Sequence, residues 1–275
     1  MRPHSAADRI LEVMDPQRKK SSPEQIRERF DRDVARFSDL EKGQAAAMDA
    51  PVALGLIAAV AAAVAPAAGH VLDVGCGAGN FTLSLLARLS GPADVTLVDL
   101  SRPMLDRAVE RVGAVTSGRV TALLGDIRSV ALREETFDVV LAGAVLHHLR
   151  EQKEWADVFA KLHAALRPGG ALWVFDMVEH ESPPVRALMW ERWACYLGEL
   201  GGEAYRDHVL TYVAEEDSPR PLLFQLDLMR RVGFVDVEVL HKNACFAAFG
   251  GRRSAESSGR DGRGNASAAL EVGRT

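Results

Sequence analysis

Residues 70–82 read His70-Val71-Leu72-Asp73-Val74-Gly75-Cys76-Gly77-Ala78-Gly79-Asn80-Phe81-Thr82. A short apolar strand, Val71 to Val74, empties into glycines at alternate positions, Gly75, Gly77 and Gly79. A helical pattern follows, with Phe81, Leu85, Leu86 and Leu89 on one face. Glycine is needed where backbone turns tightly and a ligand lies against it, because no Cβ intervenes. A glycine-rich strand-to-helix turn marks a nucleotide site without saying which nucleotide. Two residues narrow the choice. The dinucleotide fingerprint places a third glycine three residues after the second, where this chain has Asn80. Asp73 stands two residues before the first glycine, and a pyrophosphate laid on the turn would meet its carboxylate. A ligand carrying a sulfonium and an ammonium is instead welcome there.

That ligand is S-adenosylmethionine (SAM), and the spacing resembles the first motif of the class I methyltransferases. The resemblance covers His70 to about Phe249. It implies a doubly wound α/β sheet of seven strands, six parallel and one antiparallel, with helices on both faces. It also implies cofactor contacts from Asp73, Gly75, Cys76, Gly77 and Gly79. The next strand, Val95 to Val98, ends in Asp99, twenty residues beyond Gly79, the distance at which an acid reaches a ribose. Asp99 can instead cap the helix that follows, although Ser101 suits that role better. Leu100 and Met104 are placed to sandwich an adenine. The third strand, Val120 to Leu124, ends in Gly125-Asp126-Ile127. By the same resemblance Asp126 accepts from the adenine amino group and the Ile127 N–H serves a ring nitrogen; the competing role for Asp126 is an Asx-turn. Acids at three successive strand ends are more specific than a glycine loop alone.

The fourth strand, Phe137 to Gly143, is nearly all apolar, as a buried parallel strand should be. It runs through Ala142 into Ala144-Val145-Leu146-His147-His148-Leu149, which resembles the family's segment along the methionyl part of the cofactor. His147 is the candidate catalytic base, with packing or loop capping as the alternative. Adjacent histidines lack the three- or four-residue spacing of a metal pair on one helix face, so no metal is expected.

Outward from this centre the chain has a plain organisation. Residues 1–22 read as a mobile arm, and Ser22-Pro23-Glu24-Gln25 as a helix start. Ile26, Phe30, Val34 and Phe37 then form one apolar stripe, continued by Gln44 to Ala47. The resemblance makes this a lid, with Phe30 and Phe37 facing adenosine or acceptor; edge packing is the alternative. Pro51 to Val64 is apolar nearly all round and should be buried. Trp155 to Leu166 is a helix, ended by Arg167-Pro168-Gly169-Gly170 before the fifth strand, Ala171 to Asp176. A helical insertion at about 178–221, broken at Gly201-Gly202, covers the carboxyl edge of the sheet, where open α/β folds bind ligands. A helix from Leu222 to Arg231 precedes two strands, Phe234 to Val239 and Ala244 to Phe249, joined through Lys242-Asn243. Past Gly250, serine, glycine and arginine mark a disordered tail. The expected division is an N-terminal arm and lid helix over 1–50, a SAM-binding domain over 51–250 and a disordered tail over 251–275.

The chain has 275 residues, 48% of them hydrophobic, 26% charged, and a net charge of −5. That suits one α/β domain with additions and argues against broad nucleic-acid binding. Three dispersed cysteines, with no metal-ligand spacing, fit reduced thiols in a cytoplasmic protein, and the alanine-rich run is too short to span a membrane. The expected reaction is in-line transfer of the sulfonium methyl to a small molecule, leaving S-adenosylhomocysteine. Two alternatives stay open. One is a tRNA-modifying enzyme, since Leu226 to Phe249 is loosely similar to the wobble-uridine carboxymethyl-transfer branch; the other is a non-catalytic SAM-binding protein. Composition leaves a homodimer open.

Overall fold

A computed structural model of the chain describes residues 18–39 and 43–255. Seven strands form one sheet: β1 (His70–Val74), β2 (Asp94–Asp99), β3 (Val120–Leu124), β4 (Phe137–Gly143), β5 (Leu166–Met177), β6 (Phe234–Asn243) and β7 (Phe246–Arg253). Their order is β3-β2-β1-β4-β5-β7-β6. The pairs among β1 to β5 are parallel, whereas β7 runs antiparallel to both β5 and β6. Six strands therefore share one direction and one opposes them, as the resemblance implies. The order reverses between β1 and β4, which is where such a sheet opens a crevice at its carboxyl edge.

Side chains alternate across a strand, so each central strand feeds two cores. Val71, Val95, Leu97, Val139, Leu141 and Trp173 pack on one face against α3 (Ala50–Val64), α4 (Asn80–Leu86) and α5 (Arg102–Gly113). Leu72, Val74, Val98, Val140, Ala142 and Val174 pack on the other against α6 (Gln152–Ala165) and α8 (Leu222–Val232). The expected lid corresponds to α1 (Pro23–Arg32) and α2 (Val34–Ser38), and the expected insertion to α7 (Pro183–Glu216). α1 starts in a full capping box, Ser22 accepting from the Gln25 N–H and the Gln25 side chain accepting from the Ser22 N–H. Gly202, at φ 82° and ψ 177°, kinks α7 where the glycine pair is expected to break it.

Five expectations are corrected. Gln44 to Ala47 is a turn rather than more helix. Its carbonyls serve the insertion: Ala46 accepts from Trp193 Nε1 and Ala45 from Tyr196 Oη, both at 2.7 Å. The helix from Pro51 to Val64 starts at Ala50 and is buried on one side only, with Val52 and Leu56 exposed, because a single helix face meets the sheet. The β6–β7 turn is Ala244-Cys245, not Lys242-Asn243: Asn243 stays in the strand and its amide donates to Asp49 at 2.8 Å. Ala244 takes φ 44° in its place. The sheet also extends past Gly250, through Gly251 to Arg253, and a Cβ on Gly250 would stand 2.2 Å from the Trp173 ring. Gly250 lets the strand cross a tryptophan. Finally, residues 18–22 are docked. Ser21 N–H donates to Glu215 O at 2.8 Å and Lys20 Nζ to Asp217 O at 2.6 Å. The remainder of the expected arm, residues 1–17, and of the tail, residues 256–275, lies outside the described residues. No described helix is long and apolar enough to cross a membrane.

Candidate functional site

A cavity of about 210 Å³ opens at the carboxyl ends of β1 to β4, roofed by α1, α2 and α7. Its polar floor is the glycine turn. Gly75 sits at φ 64°, and a Cβ there would lie 2.4 Å from Val145, so backbone must pass bare. Gly77, at φ 49°, would carry a Cβ into open space. That void beside the backbone is what a ligand lying on the turn requires. Cys76 is held by its N–H to Val98 O at 3.0 Å and also borders the cavity.

Asp99 accepts from the Gly77 N–H on one oxygen and from the Ser101 N–H on the other, both at 2.8 Å. Ser101 caps α5 by accepting from the Met104 N–H, which leaves Asp99 free of that duty. Burial pushes the Asp99 carboxyl pKa up against those two backbone donors. Leu100, Met104, Gly125, Asp126 and Ile127 continue this wall, and Phe30 and Phe37 face it from the lid, their rings 5.7 Å apart. Asp126 does both things considered for it. It borders the cavity, and it also makes the Asx-turn, accepting from the Arg128 N–H at 2.8 Å while the Arg128 guanidinium grips both its oxygens. Burial acts to raise its pKa, but Arg128 holds it below the ordinary carboxylate range.

Three expected contacts do not border the cavity: Asp73, Gly79 and Ala142. Alternation turns Asp73 to the same face as Val71, beneath α4, where its carboxylate accepts from Thr82 Oγ1 at 2.7 Å. It thereby occupies the helix N-terminus that a pyrophosphate would need. Asp73 therefore does not meet a ligand in the cavity, contrary to the expectation from the sequence. Gly79, at φ 84°, is the N-cap of α4 and packs toward Val112. Ala142 points to the opposite core, beneath α6, and the wall begins one residue later at Gly143.

Burial raises the Asp73 pKa from 3.8 to about 7, over the opposing Thr82 hydrogen bonds. The native state thus keeps a proton that the unfolded chain gives up, so stability falls as pH rises from 3.8 to about 7 and is level above it. Asp73→Asn removes the titration. We expect the stability difference, wild type minus variant, to drop by roughly 2 kcal/mol between about pH 5 and pH 7 in urea unfolding. A pH-independent difference would place Asp73 in water.

The last wall was only partly legible. His147 and His148 lie in a 3₁₀ turn, Leu146–His148, with ring centroids 4.3 Å apart. His147 Nδ1 pairs with Asp176, whose other oxygen accepts from the Leu146 N–H at 2.7 Å and the His147 N–H at 3.1 Å. Burial pulls the His147 pKa down, but Asp217 and Asp176 outweigh it and carry it to about 9. Asp217 follows α7 and lies 3.5 Å from His147 Nε2 and 3.2 Å from His148 Nδ1. Arg29 and Glu216 form a buried pair beside this cluster. Sequence reasoning missed Asp176, Asp217, Arg29 and Glu216 as site residues. Asp176 carried a signal, a fourth acid at a strand end; Asp217, on a connection after a long insertion, carried none.

Residues 71–170 match the sequence profile of a family described as Methyltransferase domain. A demethylmenaquinone methyltransferase of Lactiplantibacillus plantarum is 26% identical over 187 residues, 66% of this chain and 77% of that protein. Residues 71–170 are a class I SAM-dependent methyltransferase domain. Two solved structures share this methyltransferase's fold. An O-methyltransferase family protein of Burkholderia thailandensis superposes at TM-score 0.62 with 19% identity, covering 90% of this chain and 68% of that one. The 1,6-didemethyltoxoflavin-N1-methyltransferase of the same species, solved with its substrate and S-adenosylhomocysteine, superposes at 0.56 with 18% identity, covering 86% and 93%. The cofactor of this methyltransferase is SAM.

Proposed function

We propose that this methyltransferase acts on a small, largely apolar acceptor enclosed with SAM in the one cavity, within a cytoplasmic enzyme. The observation that carries it is continuity. The polar floor around Gly77 and Asp99 runs without a partition into walls of Phe37, Met177, Trp193, Tyr212 and Phe246. A long polymer would need an open groove, whereas the lid and insertion roof this site. The relatives with solved substrates or named substrates act on small molecules, demethylmenaquinone and 1,6-didemethyltoxoflavin.

In this reading SAM supplies an electrophilic methyl when bound. Asp99 accepts from the ribose hydroxyls, Leu100, Met104 and Ile127 enclose the adenine, and Asp126 with the Ile127 N–H addresses its edge. Gly75, Cys76 and Gly77 offer bare backbone to the methionyl part. The lid, α1 and α2 with Phe30 and Phe37, excludes water and holds the two reactants together, which accounts for a large share of catalysis in a displacement of this kind. A His147 already paired with two carboxylates orients the wall beside the cofactor and does not act as a free base at neutral pH.

Calorimetry with SAM, S-adenosylhomocysteine and NAD, followed by labelled-methyl transfer to a metabolite extract and to tRNA, tests this. We expect the first two ligands to bind, NAD not to bind, and the label to enter the small-molecule fraction. Label in tRNA alone would overturn the acceptor class.

A further inference from the structure

We propose that His147 Nε2, His148 Nδ1 and Asp217 Oδ1 form a site for one divalent first-row transition ion, with zinc as the type case, opening into the SAM cavity. Among the described residues these three donors lie within 4.8 Å of one another, and all three side chains border the cavity. The proposal goes beyond the acceptor reading and does not depend on it.

The two spacings to Asp217 are close to those of ligands about a shared ion. A tetrahedral centre ~2.0–2.2 Å from each donor sets the donors roughly 3.3–3.6 Å apart. Asp217 Oδ1 stands 3.5 Å from His147 Nε2 and 3.2 Å from His148 Nδ1. Asp217 Oδ1, His148 Nδ1 and His148 Nε2 are all buried with no hydrogen-bond partner in the right geometry among the described residues. Two of the three donors, Asp217 Oδ1 and His148 Nδ1, are thus buried and left unsatisfied side by side, which calls for a ligand between them.

The surroundings supply what such a site needs. Metal-bound imidazoles hand their second nitrogen to a carboxylate, which fixes the ring. Asp176 does this for His147 Nδ1, and is itself fixed by three backbone N–H groups, of Leu146, His147 and Met177. The 3₁₀ turn explains how neighbouring histidines converge, contrary to the expectation from α-helical spacing. A tighter turn tilts the two rings by 59° toward one point instead of splaying them. Two imidazoles and one carboxylate favour zinc, iron, cobalt or nickel over magnesium and calcium, which want oxygen donors. Three protein ligands leave a fourth position open, as in sites that bind a substrate oxygen or a water.

The test uses the full chain, stripped with a chelator and titrated with Co²⁺ while visible absorption is recorded, then challenged with Zn²⁺. We expect saturable binding of one Co²⁺ per chain, displacement by Zn²⁺, and weakening by about tenfold or more in His148→Ala and in Asp217→Asn. S-adenosylhomocysteine binding serves as the control for a folded cofactor site. Pulsed EPR of the Cu²⁺-loaded wild type counts coordinated imidazoles without any variant, and two are expected. Absence of saturable Co²⁺ uptake by protein that binds S-adenosylhomocysteine overturns the site. So does Cu²⁺ without imidazole coupling, or uptake that both variants leave unchanged. The acceptor reading fails separately, in the labelled-methyl assay.

Discussion

Asp99→Ala weakens SAM and S-adenosylhomocysteine binding by about tenfold to several hundredfold, measured by calorimetry. Hydrogen bonds to a charged group are worth about 1.5–3 kcal/mol, and the ribose offers two, coupled so that they do not simply add. Asp99 also holds the Gly77 and Ser101 N–H groups, so part of the loss is a slacker glycine turn. Asp99→Asn separates the two parts. It keeps one acceptor oxygen for the backbone but gives up the charge, and should fall between wild type and Ala. The unliganded fold should survive both changes, because burial already disfavours the Asp99 charge. A variant that binds S-adenosylhomocysteine as tightly as wild type would remove Asp99 from the ribose.

The contrast between Asp99 and Asp73 shows what a sequence can convey. Both acids end a strand before a loop, and the pattern alone treats them alike. Asp99 is the last residue of β2 and lies at the cavity, while Asp73 is one residue short of the end of β1, where the pleat sends it under α4. Asp73 pairs with Leu97, and Asp99 follows Leu97 by two residues on the same face, so depth along the strand and not the face separates the two acids. Ala142 fails by face instead: it pairs with Val74, on the side of the sheet opposite Asp73. The glycine turn and the five parallel strands were legible because each rests on local apolar runs and their connections. The Gln44–Ala47 turn was not, since what fixes it is a pair of hydrogen bonds from Trp193 and Tyr196, far along the chain. Asn243 misled for a related reason. Its turn propensity is real, but Asp49 gives its amide a better use in the strand.

The metal triad sits at the limit of this legibility. The two histidines were conspicuous, and helical spacing argued against a shared ion. Only the 3₁₀ geometry, and an aspartate 69 residues after His148 across an insertion, bring the donors together.

Breaking the Arg29–Glu216 pair has the second large expected effect, on stability and on the lid together. Arg29 Nε donates to Glu216 Oε1 and Oε2 at 2.8 and 2.9 Å, and Nη2 donates at 2.5 Å. Glu216 is 6% exposed, and the guanidinium lies over the Phe30 and Tyr212 rings, 4.3 and 4.6 Å from their centroids. The pair thus ties α1 to the end of α7, next to Asp217. Removing one partner of a buried pair costs about 3–5 kcal/mol, because a charge is left buried alone. The Arg29 side chain is 20% exposed, which moves the expectation for Arg29→Met to about 2–3 kcal/mol. In a chain of this size that lowers the melting temperature by roughly 5–10 °C. Glu216→Met should cost less, since Arg29 retains Asp33 at 3.9 Å. The double variant should recover most of the loss, because two apolar side chains of similar reach replace two desolvated charges. Hydrogen exchange in α1 should rise in Arg29→Met alone. Additive single losses with no recovery in the double variant would show that the pair holds nothing together, and that the Lys20 and Ser21 contacts dock the lid by themselves.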